Sequence, residues 1–292
     1  MKLLVKFNLM VGLVLGAGLV VAAAVSHQFL QNGARDEVLR QARLMIQAMQ
    51  SARDYTTRQI KPLLVGEAAH QESFLPQTVP AFAATENFAQ LRVSYPDYAY
   101  KEAVLNPTNP RDRAVDWEAD IINTFRNHAN GEKELVGERD TPTGRSLFMA
   151  RPIQAAPPCL ECHSVPSAAP PAMLRRYGPD NGFGWQPNEI VGAQIVSVPM
   201  ALPVRMANQA FTTLVSCLAG VFLASLVLLD ALLLVGVVRP LRRLATMADQ
   251  ISVGQVDMPE LPTNGNDEIA VLAGSFNRMR RSLDRAMKML GS

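Results

Sequence analysis

Ser146-Leu147-Phe148-Met149-Ala150-Arg151-Pro152-Ile153 and, further on, Val191-Gly192-Ala193-Gln194-Ile195-Val196-Ser197-Val198-Pro199-Met200 alternate and are partly β-branched. Both stretches predict strands, because successive strand side chains point to opposite faces and branched residues pack well on a pleated surface. Upstream, residues 34–64 carry Val38, Ala42, Met45, Ile46, Met49, Tyr55 and Ile60 at mostly helical spacing and end at Lys61-Pro62. Asn106-Pro107-Thr108-Asn109-Pro110 is a turn cluster, after which residues 112–127 place Trp117, Ile121, Ile122 and Phe125 on one side of a second helix. Helices first and strands later predict an α+β domain of sensor type.

Between the two strands lies Cys159-Leu160-Glu161-Cys162-His163. Two thiols three positions apart, with an imidazole directly after them, are what covalent attachment of a c-type haem requires. Each thiol makes a thioether with one haem vinyl group, and His163 becomes the proximal iron ligand. One covalent haem c is therefore expected, on Cys159 and Cys162. Half of a zinc site is a rival, but zinc needs four ligands. The remaining candidates are Cys217, inside an apolar run, and the scattered His27, His70 and His128. A thioredoxin-like redox pair is a second rival. Such a pair normally follows a strand and opens a helix, whereas this motif, behind Pro157-Pro158, is expected in a loop.

The distal ligand is less marked. A thioether can bind haem iron, and Met45 and Met49 lie four residues apart on one helix face. Met49 is the candidate, with His128 and Met149 as alternatives, although most methionines simply fill cores. Tyr98, Tyr100, Arg92, Lys101, Arg111 and Arg113 are candidates for the haem propionates, against ordinary solvation at the surface.

The chain has 292 residues with 28 basic and 26 acidic side chains, a balance that gives no reason to expect nucleic acid as a partner. Residues 7–26 and 211–238 are apolar runs long enough to cross a bilayer of roughly 30 Å. A cleaved signal peptide competes for the first, since Ala22-Ala23-Ala24 would serve as a cleavage site, but the run exceeds the roughly 7 to 15 residues of a typical signal core. Lys2 and Lys6 precede the first run, and Arg239, Arg242 and Arg243 follow the second. Basic residues stay cytoplasmic, so residues 1–6 and 239–292 are expected inside and 27–210 outside, in the periplasm of a bacterial inner membrane. Haem c attachment belongs to that same outer compartment. Asp230 is a carboxyl group within the second run, where carboxylates are costly and usually functional; a neutral, protonated acid against a dimer partner is the alternative.

Several stretches together resemble a known family: Val79-Pro80-Ala81-Phe82-Ala83, Tyr95-Pro96-Asp97-Tyr98, Leu105-Asn106-Pro107-Thr108-Asn109-Pro110-Arg111-Asp112, Gly137-Glu138-Arg139, the Cys159–His163 motif, and Tyr177-Gly178-Pro179-Asp180-Asn181-Gly182-Phe183-Gly184-Trp185. In this order they are similar to extracytoplasmic c-type haem-binding domains, over about residues 37–204. The resemblance implies a PAS-like fold and a haem sensor for redox state or a diatomic gas. A Cys ligand found in some of those relatives has no cysteine to map onto in this outer segment.

After the second apolar run, Leu241, Leu244, Ala248 and Ile251 step by three and four, and Ile269, Leu272, Phe276, Met279, Leu283, Ala286 and Leu290 continue the pattern. That periodicity is a coiled-coil seam. The intervening residues 252–265 carry Gly254, Val256, Met258, Pro259, Leu261 and Pro262, too broken for helix. Residues 239–292 resemble a HAMP domain, with Pro240 and Glu268 at the family's marked helix starts. The resemblance implies a homodimer through a parallel four-helix bundle. The sequence thus predicts a sensor and transducer rather than an enzyme; with the chain stopping at Ser292, either a separate cytoplasmic signalling protein reads its output or this is a shortened gene product. A membrane-anchored cytochrome that passes electrons is the alternative.

Overall fold

The computed structural model describes residues 3–66, 72–127, 131–253, 255, 258–263 and 265–290. They form two compact units, one of residues 28–210 and one of residues 1–27 with 211–292.

In the first unit a four-stranded antiparallel sheet has the order β1-β4-β3-β2, with β1 Ala99–Val104, β2 Leu135–Thr141, β3 Gly144–Gln154 and β4 Ile190–Pro199. Strand alternation divides its side chains cleanly. Leu147, Met149, Val196 and Val198 point to one face and pack under Val38, Ala42, Ile46 and Met49 of the long helix Leu3–Tyr55, with Ala84 and Phe88 of helix Pro80–Ser94. Ala103, Ala150, Ala193 and Ile195 point to the other and pack under Ile121, Ile122 and Phe125 of helix Asp116–Asn127. Because both faces of β4 are covered, its burial is nearly continuous. The expected α+β class is what the structure has. Truncating one of these buried side chains, Ile46 or Leu147 for example, should cost about 2–5 kcal/mol.

Two of the four strands escape the sequence pattern. In β1 the adjacent charges Lys101 and Glu102 interrupt alternation, and β2 carries Glu138-Arg139-Asp140 in a row. Charges suit the edge position of β2, since they discourage pairing with another chain. In β1 the charge is instead compensated inside, as described below.

Helix Leu3–Tyr55 passes without interruption from the first apolar run into the sheet domain. It ends in a π-helical turn, Thr56–Ile60, just before Lys61-Pro62. The ring of a proline clashes with the carbonyl four residues back and offers no N–H, so widening the preceding turn relieves the conflict. A second π turn, Leu234–Val238, precedes Arg239-Pro240 in the same way.

In the second unit two helices are long and apolar enough to span a membrane. Asn8 Nδ2 donates to Asp230 Oδ2 at 3.0 Å, and His27 meets Phe211 edge-on at 5.1 Å. Equal lengths of helix separate the two contacts, so these runs pair antiparallel in register. Asn8 Oδ1 and Asp230 Oδ1 are buried without a partner. Helices Arg239–Ser252 and Glu268–Leu290 follow, packed through Leu244, Met247 and Ala273. The buried Asn277 amide pins the connector: Leu261 N donates to its Oδ1 at 3.1 Å, and its Nδ2 donates to the Leu261 carbonyl at 2.9 Å. Asp267 caps the second helix, accepting from Ala270 N at 2.8 Å.

Candidate functional site

The Cys159–His163 motif lies on a short helix, Pro157–His163, not in a loop as its prolines led us to expect. Pro157 and Pro158 occupy the first helical positions, where a missing N–H costs nothing and the fixed φ favours helix. This corrects one ground for setting aside the redox pair, since the motif does follow a strand and open a helix. The wholly antiparallel sheet is the observation that sets it apart from a thioredoxin-like unit, while burial pushes the thiol of Cys162, the second cysteine, above its ordinary value.

On the helix Cys159 and Cys162 stand on one face, one turn apart. Cys162 packs beside a small apolar cluster of Phe74, Ala169, Ala172 and Met173, with Tyr177 and Phe183 at its edge. The loop that follows Tyr177 folds back over the end of the motif helix. Gly184 N donates to the Ser164 carbonyl at 2.8 Å and Trp185 N to the His163 carbonyl at 3.2 Å. The Trp185 ring stacks on the His163 imidazole, with centroids 4.1 Å apart and 14° between planes.

His163 Nδ1 lies 2.7 Å from the Gly182 carbonyl and 3.4 Å from Thr108 Oγ1. A carbonyl can only accept, so Nδ1 carries the proton and Nε2 is left with a lone pair. Burial lowers the imidazole's proton affinity, against the Gly182 hydrogen bond that raises it. This is the arrangement of a metal-binding histidine, whose second nitrogen fixes tautomer and ring orientation. Gly182 can be nothing larger. Its φ is +81°, and a Cβ there would lie 1.9 Å from Thr108 Oγ1 and 2.7 Å from Thr108 N. Two thiols on one face and a neutral imidazole with a free Nε2 fit a haem held by two thioethers and one axial histidine.

Beyond the motif the helix Leu3–Tyr55 contributes a buried polar network. Arg53 forms an ion pair with Glu102 of β1, Tyr100 Oη donates to Glu102 Oε1 at 2.7 Å, and Gln194 Nε2 donates to Tyr100 Oη at 3.4 Å. Glu102 is only 3% exposed. Burial lowers the Arg53 proton affinity, but Glu102, with smaller contributions from Tyr100 and Cys159, raises it above its ordinary value. Burial and the Glu102 charge push the Tyr100 hydroxyl far above the usual phenol range. Just past the π turn, Lys61 Nζ pairs with Glu161 of the motif at 3.3 Å.

The remaining candidates divide. Met49 and Met149 are packed in the main core with Ile46, Phe88 and Tyr100, whereas Cys162 belongs to the separate cluster around Phe74. His70 and His128 lie outside the described residues, and His27 is in the other unit. Among the propionate candidates, Tyr100 and Lys101 are committed, Lys101 to Glu118 at 2.7 Å. Arg113 reaches Asn181 Oδ1 at 3.4 Å, beside Gly182, and Arg111 holds Glu86 at 2.6 Å over the Phe82 ring. Arg113 is thus brought to the His163 loop, whereas Arg111 is committed to Glu86 and Asp112. Tyr98 donates to Gln41 at 3.4 Å, away from it.

A family profile described as Tll0287-like (Tll0287) matches residues 30–199, more than half of the chain. The chain belongs to the Tll0287-like family. A HAMP domain profile matches residues 233–285. Among solved structures, the crystal structure of the cyanobacterial heme-protein Tll0287 is similar, at 17% identity and a TM-score of 0.43, over 56% of this chain and 95% of that one. No curated protein matches the chain.

Within the Tll0287-like domain, sequence reasoning missed Thr108, Gly182 and Trp185 as the surroundings of His163. Their signal was present in the two turn-rich stretches 105–112 and 177–185, which the fold brings face to face. Asp112 in the first stretch has its carboxyl pushed up to about 6, by burial first and the Glu102 charge second, against Arg111 and Lys101. An acid bound more tightly in the folded state stabilises it when protonated. That contribution is full below the unfolded value of about 3.9 and is lost as pH rises through the folded value. Chemical denaturation across pH 4 to 7 should therefore show a downward slope in the wild type that Asp112→Asn removes; equal slopes would contradict the assignment.

Proposed function

We propose that this chain is a membrane-bound haem c sensor and transducer, with the Tll0287-like domain outside the cytoplasm and the HAMP domain within it. The observation that carries this is the His163 imidazole, whose Nδ1 is engaged by Gly182 so that Nε2 is free beside two thiols on one helix face. The haem-protein title of the similar cyanobacterial structure supports the same cofactor. Two thioethers would join the group to Cys159 and Cys162, and His163 would be its proximal ligand, with Arg113, beside the Gly182 loop, the candidate for a carboxylate. When bound, such a group supplies an iron whose oxidation state and sixth ligand can change.

The chain's own residues offer a route from that site to the membrane helices. Lys61 ties the motif to the end of the long helix through Glu161, and Arg53 ties the same helix to β1. On the other side, Met200 N donates to the Arg145 carbonyl at 3.0 Å and the Met200 carbonyl accepts from Val204 N at 3.0 Å. Strand β4 thus leads almost directly into helix Ala201–Leu233. A stimulus can bias the HAMP packing only if its two states favour different arrangements of these attachments. Leu272, Met279 and Leu283, on the expected seam, are exposed in the single chain and suit a homodimer. Basic residues at both cytoplasmic flanks support the orientation. The output would be read by a separate cytoplasmic protein.

Absorption spectra in both oxidation states, with and without CO and NO, test the reading. A sensor should show a ferrous haem whose spectrum is changed by one of these gases. A spectrum that responds to neither gas, together with rapid electron exchange, would indicate an electron carrier instead. Met49→Ala should leave the spectrum as in the wild type, because this thioether is packed in the main core. A high-spin shift in that variant would instead mark Met49 as the distal ligand.

A further inference from the structure

Three arginines at the start of the HAMP domain line a cavity whose use the sensing route does not explain. Arg239, Arg242, Arg243 and Thr246 form one wall, and Glu260 and Leu261 of the connector lie across from them, around a volume of about 500 Å³. The spacing puts these four side chains together on one helix face. That face is opposite Leu241, Leu244 and Ala248 of the expected seam, so a bundle partner would leave it open. Among the described residues the three guanidinium groups are exposed and have no ion pair, while Glu260 is already taken by Arg280 at 3.4 Å and Arg281 at 3.8 Å. The positive charge in the cavity is therefore not neutralised by its own walls. The opposite wall is held in place by the Asn277 amide on Leu261.

Position selects the ligand. Arg239 directly follows the π turn that ends the second apolar run. At a rise of about 1.5 Å per residue, Arg243 is only about 6 Å further along the axis. Headgroups occupy roughly 5–8 Å on each side of the hydrocarbon, so a bilayer whose hydrocarbon ends at the π turn puts all three guanidinium groups at headgroup depth.

We propose that this cavity takes the phosphate-bearing headgroup of an anionic membrane lipid, held by Arg239, Arg242 and Arg243 against the connector. A bound headgroup would fasten the connector to the membrane surface and make the HAMP packing responsive to lipid charge.

The test uses the full chain in nanodiscs of phosphatidylcholine with a minor fraction of phosphatidylglycerol, with retained lipid counted by native mass spectrometry after release. Arg242→Gln with Arg243→Gln should lower retained phosphatidylglycerol about tenfold or more. Thr246→Tyr keeps every charge but sets a ring among the three guanidinium groups and crowds the cavity they line, and should lower retention severalfold. Both changes are at exposed positions, and unchanged thermal melting would exclude misfolding as the cause. Wild-type retention in Thr246→Tyr would overturn the proposal, because a charged surface without a site behaves that way. Displacement of the lipid by millimolar inorganic phosphate would also overturn it, in favour of a soluble anion.

Discussion

Replacing Cys159 and Cys162 together by alanine is expected to abolish covalent haem completely while the protein stays in the membrane. Haem staining of the denatured chain and membrane fractionation measure the two halves of this result. Both thiols stand on one face of helix Pro157–His163, so each single variant should still hold haem through the remaining sulfur, and only the pair should release it under denaturing conditions. Haem that still migrates with the double variant would refute the attachment site. The histidine is separable from the thiols: His163→Ala should retain covalent haem but lose its axial imidazole, and the loss should appear in the spectrum alone.

The second large effect concerns the Arg53–Glu102 pair. Glu102 is nearly inaccessible, and Arg53 is its charge partner, with Tyr100 donating to the other carboxylate oxygen. Removing one member of a buried pair leaves an uncompensated charge and costs about 3–5 kcal/mol. Arg53→Met should therefore lower the melting temperature on the order of 10 °C for a domain of this size. The double variant Arg53→Met with Glu102→Gln should recover part of that loss, because the buried charge is gone. If both variants melt together, the cost comes from lost packing and the ion pair contributes little. The same network is close to Cys159, so Arg53→Met should also disturb the haem spectrum more than truncation of Ile46 does.

Sequence pattern reached the parts of this fold whose periodicity is undisturbed. Val38, Ala42, Ile46 and Met49 step along one helix face, and they bury as that spacing requires. Strands β3 and β4 alternate, and their two faces support separate cores. Strands β1 and β2 were not legible, because Lys101-Glu102 and Glu138-Arg139-Asp140 look like surface loop until their partners are known. Glu102 is the instructive case. A carboxylate on the inward face of a strand reads as an error until Arg53, far away in sequence, is seen to lie against it.

The site was legible to the same degree. The motif offers its own three candidates, Cys159, Cys162 and His163, since their spacing is set by local chemistry. What orients His163 is not local: Thr108 and Gly182 come from two turn-rich loops that meet only in the folded domain. Pro157-Pro158 misled the reading of the motif as loop, although prolines at the first helical positions are well tolerated. Met49 packs in the main core, and helical spacing alone cannot tell a side chain that faces a core from one that faces a ligand.

The claim that haem chemistry reaches the HAMP domain is tested most directly by cross-linking at Leu283, exposed on the expected seam. Leu283→Cys in a Cys217→Ser background, treated in native membranes with a short bis-maleimide, gives a yield that does not depend on disulfide chemistry. The account predicts a cross-linked dimer whose yield differs between the oxidised and reduced haem, and a difference that disappears when Cys159 and Cys162 are both alanine. Equal yields in the two oxidation states would contradict it, leaving a haem protein in the membrane with no transmission to its HAMP domain.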